Sequence, residues 1–347
     1  MEIVSQVLSI LAALLLLSIF VTVHEYGHYK AGRLLGFGIV EFAIGMGPKL
    51  WCKEKNGILY AIRAFPIGGM CRFYGEDEEI KDGKSFNAQK AWKRFLVILA
   101  GPFMNIVFAL VFAIVALTAY GDYRAAVAEV TDTSSPAYLA GVQPGDVLYA
   151  INGKEIASSS TQDAVNKIVA VEGNEAVLTV GRGEEMLDLK LENIYNEEAG
   201  RNLIGITIGL VRVPYTFAEA ITGSFAYVGS IIQEMVGFFR SIFTTGVQLD
   251  DVAGPLGVIS VIGTAVRVGL EMVLRLSVML SVNLAFINLL PIPGLDGSRL
   301  AFLTLEGIRR KPVPERVEGT IHLIGMILLF GLIILLTFND IKRMLGV

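Results

Sequence analysis

Four apolar runs punctuate the chain, at residues 4–23, 96–120, 272–292 and 321–338, and each approaches the roughly 20 apolar residues that carry an α-helix across a bilayer. Each predicts a spanning helix. Between the second and third runs the pattern changes twice. Residues 122–213 are polar by comparison. Within them "VLYAI" alternates into Asn152-Gly153, a strand entering a tight turn, and "PGD" just upstream reads as the turn before it. Residues 217–243 instead repeat Ile221, Phe225, Val228, Ile232, Met235, Phe239 and Ile242 at alternating steps of four and three, interrupted by Glu219, Gln233, Glu234 and Arg240. That period predicts an amphipathic helix lying on or dipping into the bilayer surface. The piece after it, "GPLGVISVIGTAVRVG", has too short an apolar core to span comfortably. Residues 57–73, "GILYAIRAFPIGGMCRF", alternate through "LYAIRAF" and break at Pro66, Gly68 and Gly69, as in a hairpin.

Composition agrees with a chain built for lipid: 53% of residues are hydrophobic and 18% charged, with a mean hydropathy of +0.59. No basic stretch precedes the first run and no small-residue cleavage pattern follows it, so it reads as a permanent helix and not a leader. The net charge of −4 says little, and nucleic acid is not an expected partner, but the distribution of charge is informative. Residues 29–94 hold twelve Lys and Arg, which places that loop in the cytoplasm and residues 121–213 outside. Cys52 and Cys71 fall in this loop and read as free thiols. "EGIRRKPVPER", 306–316, is a second cytoplasmic cluster, so residues 272–292 supply a single inward crossing. The first and third helices then deliver their C-terminal ends to the same side. The expected organisation is residues 1–121, a first half of a membrane core; 122–213, an outer domain; 214–250, the amphipathic helix; and 251–347, the second half of the core. The charged run "EDEEIKDGK", 76–84, reads as solvated loop.

The chemistry lies where the first run ends. Of three histidines in the chain, two stand in "HEYGH" at 24–28. Positions i and i+4 share a helix face, so His24 and His28 can offer two imidazoles to one metal ion with Glu25 beside them as general base. Zinc hydrolases use three protein ligands and leave one position open. The third ligand comes from Asp296, in "NLLPIPGLDG", or from His322; parity favours Asp296, which follows the third helix at the depth where the first helix ends, and ionisable residues at such depth are functional by default. His322 begins the last helix on that same side.

With these pieces in hand, the chain resembles the site-2 protease family of intramembrane zinc metalloproteases, in the bacterial form with one PDZ domain. The resemblance runs nearly end to end and rests on "HEYGH" (24–28), "FPIGGM" (65–70), "AGPFMN" (100–105), the "SPAYLAGVQPGDVLYAINGKEI" block (135–156), "GPLGV" (254–258) and "NLLPIPGLDG" (288–297). It implies a multi-pass α-helical membrane protein with about four transmembrane helices, an inserted extracytoplasmic PDZ (α+β) domain and a membrane-associated β hairpin. It implies zinc on His24, His28 and Asp296, Glu25 as catalytic base, and a role for Asn288 in holding substrate or the developing oxyanion. The implied activity is cleavage of transmembrane segments of membrane-anchored regulators such as anti-sigma factors, after a first protease has acted, or of signal-peptide remnants, in a bacterial plasma membrane.

Three further expectations concern substrate. A helix must unwind to be cut, so an edge strand beside the zinc, carrying Tyr60 and Ile62, would hold it extended. Asn105 in "GPFMN" would add polar lining for water and substrate. In the outer domain the late strand "LIGITIG", 203–209, with Ile204 and Ile206, would accept a peptide, or the domain would act only as a steric gate. Two rival readings are a membrane zinc transporter, which gives Glu25 no task, and a catalytically silent PDZ scaffold.

Overall fold

The computed structural model describes residues 2–76, 82–156, 160–183, 185–197, 199–244, 246, 253–311 and 313–345. The charged run at 76–84 therefore lies largely outside the described residues, as does the expected boundary near residue 250. The chain forms two compact units, one of Met1–Val115 with Ile221–Val347 and one of Ala116–Ala220.

The first unit opens with α1 (Glu2–Leu35), continues into a ribbon of β1 (Ile39–Lys55) and β2 (Ile58–Phe73), and then enters α2 (Ala91–Tyr120). In the second unit the order is β3 (Asp122–Val130), α3 (Pro136–Leu139), β4 (Val147–Ile151), β5 (Lys154–Glu155), α4 (Thr161–Val169), β6 (Glu175–Arg182), β7 (Glu185–Glu192), β8 (Tyr195–Asn196), β9 (Arg201–Asn202) and β10 (Ile206–Val213). The first unit resumes with α5 (Phe217–Thr244), α6 (Pro255–Val268), α7 (Leu270–Leu289), α8 (Asp296–Arg309) and α9 (Glu315–Leu345).

Among the described residues, four helices are long and apolar enough to cross a membrane: Gln6–Leu35, Ala91–Tyr120, Leu270–Leu289 and Arg316–Arg343. They coincide with the four apolar runs. Large side chains such as Leu8, Leu15, Leu328 and Ile334 point outward at 60–69% exposure, which suits lipid and not water. The protein is an integral membrane protein of several long apolar helices with added β-structure. α5 runs the expected length, but Val228 and Ile231 pack against Ala109 and Ala113 of α2 and Val278 and Val282 of α7. It is thus seated against the bodies of two apolar helices, with Phe217 and Phe225 on its exposed face.

The β-ribbon differs from its expected form. The hairpin turn is Asn56-Gly57, both at positive φ, and the partner of residues 58–73 is the upstream strand β1, which the reading of residues 57–73 alone overlooked. Pro66, Gly68 and Gly69 do not make the hairpin turn; they mark where the ribbon folds over on itself. Positive φ at Gly45, Gly47 and Gly68 permits this bend. As a result residues 41–44 pair antiparallel with 69–72 (Glu41↔Arg72 to Ile44↔Gly69) and also with 59–62 (Glu41↔Leu59 to Ile44↔Ile62), where the two registers ascend together. Residues 59–62 pair in addition with 51–54. The local strand order is 69–73, 39–44, 58–62, 51–55.

The second unit is a sheet ordered β10-β3-β4-β6-β7, with β5 on β4, closed by α4 over a core that includes Val127, Leu148, Ile151, Leu178, Val180 and Ile204. Among the described residues β10 is an edge strand, paired with β3 on one side only. The "VQPGD" turn is pinned by a buried carboxylate: Asp146 accepts from Arg182 Nε and Nη2 at 2.8 and 2.7 Å and from the Gln143 N–H at 2.9 Å.

Candidate active site

α1 is long enough to carry the apolar run and still present "HEYGH" one turn further on, so His24 and His28 fall on the same face, buried to 7% exposure each. The chain returns to that face at the far end of α7. Leu290 precedes Pro291 and is extended at φ −66, ψ 141, which stops the helix. After a five-residue loop, residues 291–295, α8 starts at Asp296, whose carboxylate sits in the first turn where the helix dipole favours an anion. Gly297 is required beside it, because a Cβ there would stand 2.1 Å from the Leu290 carbonyl oxygen.

The three groups meet. Asp296 Oδ2 lies 2.9 Å from His24 Nε2 and 3.3 Å from His28 Nε2, and the two Nε2 atoms are 3.1 Å apart. Tetrahedral ligands on zinc, at bonds of about 2.0–2.1 Å, stand roughly 3.3 Å from one another, so the spacing suits that ion. The protonation pattern suits it too. His28 Nδ1 is 2.9 Å from the Val97 carbonyl, which can only accept, so the proton sits on Nδ1 and Nε2 faces its neighbours with a lone pair. The Asn105 carboxamide lies 3.2 Å from His24 Nδ1, while its Oδ1 is otherwise buried without a partner. Turning Oδ1 onto Nδ1–H satisfies both atoms and leaves His24 Nε2 free to ligate. Two imidazole lone pairs and a carboxylate converging on one point are satisfied together by a cation.

Several residues that hold this geometry had no assigned role in the sequence. Gly101 lies against the two imidazoles: a Cβ there would meet His28 Cε1 and Nε2 at 2.4 Å and His24 Nε2 at 2.9 Å. Gly27, on the other helix, would meet the Ala100 carbonyl at 2.2 Å. The pair lets α1 and α2 approach closely at the depth of the metal site. Pro102, inside α2, has no N–H to offer the carbonyl of Ile98 one turn back, next to Val97, whose carbonyl faces His28. "AGPFMN" flagged the stretch, but only the contact between helices reveals what its glycine does. His322 is not part of the cluster. Its Nδ1 accepts the Gly294 N–H at 3.1 Å, so it braces the loop that carries Asp296.

A cavity of about 520 Å³ opens beside the cluster and is lined by Glu25, Asn288 and Asp296 on one side and by Gly69 to Phe73 on another. Glu25 is close to the ribbon, since a Cβ on Gly69 would stand 3.1 Å from its Cγ. Tyr60 and Ile62 are not brought to the cavity: both lie in the inner segment 58–62, paired on two sides, and the Tyr60 hydroxyl bonds to Tyr29 at 2.7 Å. The segment that faces the site is 69–73. Asn105 is fully buried against His24 and away from the cavity lining. In the second unit Ile206 opens β10, whereas Ile204 is a core residue whose carbonyl accepts from the Ala137 N–H.

A helix-borne HExxH with an aspartate from a distant segment within ligand distance of both histidines, and a glutamate beside an open cavity, is the arrangement of a zinc metalloprotease. The chain belongs to peptidase family M50, the site-2 protease family, whose model matches residues 12–332. It is 36% identical over 333 residues to a Clostridium perfringens protein named as a zinc metalloprotease, covering 96% of this chain and 98% of that one. It is 30% identical over 420 residues to zinc metalloprotease RasP of Shouchella clausii, with 97% and 99% covered. Zinc is the cofactor that these relatives imply and that the donor set fits.

Proposed function

We propose that this protease cuts transmembrane segments of membrane-anchored proteins, near the cytoplasmic face of a bacterial plasma membrane. The observation that carries the reading is the strand 69–73 in the wall of the cavity. It pairs with residues 41–44 on one edge, and among the described residues no strand pairs with the other. An unwound substrate can add to that edge through backbone hydrogen bonds and lie extended past Glu25. His24, His28 and Asp296 hold the zinc, which when bound supplies an acidified water and polarises the scissile carbonyl. Glu25 takes the proton of the attacking water and returns it to the leaving amine. Asn288, in the cavity wall at the end of α7, offers its carboxamide to the substrate carbonyl as charge develops.

The outer unit is read as a PDZ domain, and the open edge of β10 supports peptide addition along Ile206–Val213. Regulators such as anti-sigma factors, after a first cleavage, and signal-peptide remnants are the substrate classes proposed. The basic loops at 29–94 and 306–316 support the cytoplasmic placement of the site.

The test uses full-length protein in vesicles with a single-pass substrate. Glu25→Gln should abolish cleavage, with the wild-type cut inside the hydrophobic segment. A photo-reactive residue at Met70 in the Glu25→Gln protein should crosslink to that segment, and one at Ile62 should not. A cut outside the segment, or crosslinks from 62 in preference to 70, would overturn the reading.

A further inference from the structure

The strand that lines the cavity is tied to the helix that carries the third ligand. Arg299 sits one turn after Asp296 on α8, and at i+3 the two share a face. Its Nη1 donates to Glu76 Oε1 at 2.6 Å, and the other oxygen of the same carboxylate accepts the Phe73 N–H at 3.2 Å. Glu76 therefore ends the strand 69–73 and bonds α8 at once, and Arg299 and Glu76 both line the cavity. Beneath this bridge the Phe73 ring fills the space left by Gly32 of α1, where a Cβ would stand 2.4 Å from it, and shares a cluster with Leu300 and Leu303 of α8.

We infer that the Arg299–Glu76 ion pair is a substrate-positioning device: it fixes the free edge of strand 69–73 at a set distance from the ligand helix, so that a segment added to that edge brings its carbonyl to the metal. This rests on the proposed docking of substrate on the 69–73 edge. The alternative is that the apolar seam of Phe73, Leu300 and Leu303 positions the strand alone, leaving the ion pair with the small effect usual for such pairs at a partly open site. The two differ in kinetics. A positioning pair acts on an extended substrate and not on the metal, so its loss raises KM and leaves zinc content unchanged.

The experiment compares Arg299→Gln, Glu76→Gln, the double exchange Arg299→Glu with Glu76→Arg, and Arg299→Lys in vesicle-reconstituted full-length protein. Each single Gln variant should raise KM about tenfold, the low end for losing a charge-assisted hydrogen bond, with kcat nearly unchanged and zinc per chain at the wild-type level. Arg299→Lys and the charge exchange should each recover part of the loss. Wild-type KM in both Gln variants overturns the inference, as does loss of zinc in either, or a charge exchange that only compounds the single effects. The docking reading is separated by the Met70 crosslink. If that crosslink forms while KM stays unchanged, only the ion-pair inference falls; if it fails in the Glu25→Gln protein with Arg299 and Glu76 intact, the docking reading falls and takes the inference with it.

Discussion

Gly101→Ala adds one methyl group and is expected to disable the metal site. The added carbon would stand 2.4 Å from His28 Cε1 and Nε2 and 2.9 Å from His24 Nε2, against the roughly 3.5–4.0 Å of relaxed carbon contacts. About 1 Å of displacement is needed to relieve it. If the rings turn away, at least one Nε2 leaves the point shared with Asp296. If α2 retreats instead, it withdraws the Val97 carbonyl and Asn105, which fix the two ring orientations. Either response exceeds the tolerance of about 0.2 Å for a metal ligand. We expect zinc affinity to fall about 10–100-fold, as when ligand-orienting contacts are lost, and turnover by about 100-fold, as for a misplacement of this size. Helix propensity works the other way, since alanine is favoured over glycine by about 0.8–1.0 kcal/mol. Helical content should thus be retained. The assay is chelator competition for zinc alongside substrate cleavage, with Gly229→Ala as control because nothing lies within 4 Å of a Cβ there. Wild-type zinc affinity and turnover in Gly101→Ala would refute the argument that close approach at this glycine shapes the site.

Two further outcomes follow, one from the contacts of the metal cluster and one from the second unit. Asn105→Ala should weaken zinc binding by about 10–100-fold through loss of the His24 partner, read by the same competition, while the residual enzyme keeps its KM, because Asn105 is buried away from the cavity. In the second unit burial alone would raise the Asp146 carboxyl, but the Arg182 guanidinium and the Gln143 N–H hold it below the usual carboxylate range. A depressed carboxyl contributes fully above its unfolded value of about 3.9 and loses that contribution as the pH falls through the lower folded value. The protection of the residue 141–146 amides in the full chain, exchange measured relative to the intrinsic rate at the same pH, should therefore fall below pH of about 4, and Asp146→Asn should show about tenfold lower protection already at neutral pH.

The membrane architecture was legible because its signals are local: runs of apolar residues, and two histidines at helical spacing beside a glutamate. The meeting of Asp296 with the histidine pair was legible through parity, since charge placement predicts that α1 and α7 end on one side, and the structure gives His322 a separate partner at Gly294. What stayed hidden depends on neighbours distant in sequence. Alternation in "LYAIRAF" marks a strand but does not say which edge is free. The positive-φ glycines at 45, 47 and 68 fold the ribbon so that 58–62 becomes an inner segment and 69–73 faces the site. The local signal for the true hairpin is the Asn-Gly pair at 56–57, both at positive φ. Gly101 and Asn105 acquire their roles only when α2 lies against α1. Ile204 and Ile206, two apart in sequence, both face the core: Ile204 is buried just before the strand with its carbonyl bonded to Ala137, and Ile206 opens the edge strand with its side chain packed, partly buried, on the same cluster.

The central claim is that two histidines on α1 and an aspartate at the start of α8 close one zinc site. Elemental analysis of detergent-purified wild type, Asp296→Ala and His322→Ala tests it most directly. The account expects about one zinc per chain in the wild type, a number set by a single three-ligand site, its loss in Asp296→Ala, and its retention in His322→Ala. Zinc held by Asp296→Ala but lost from His322→Ala, or a wild type that retains none when supplied with it, would contradict the account.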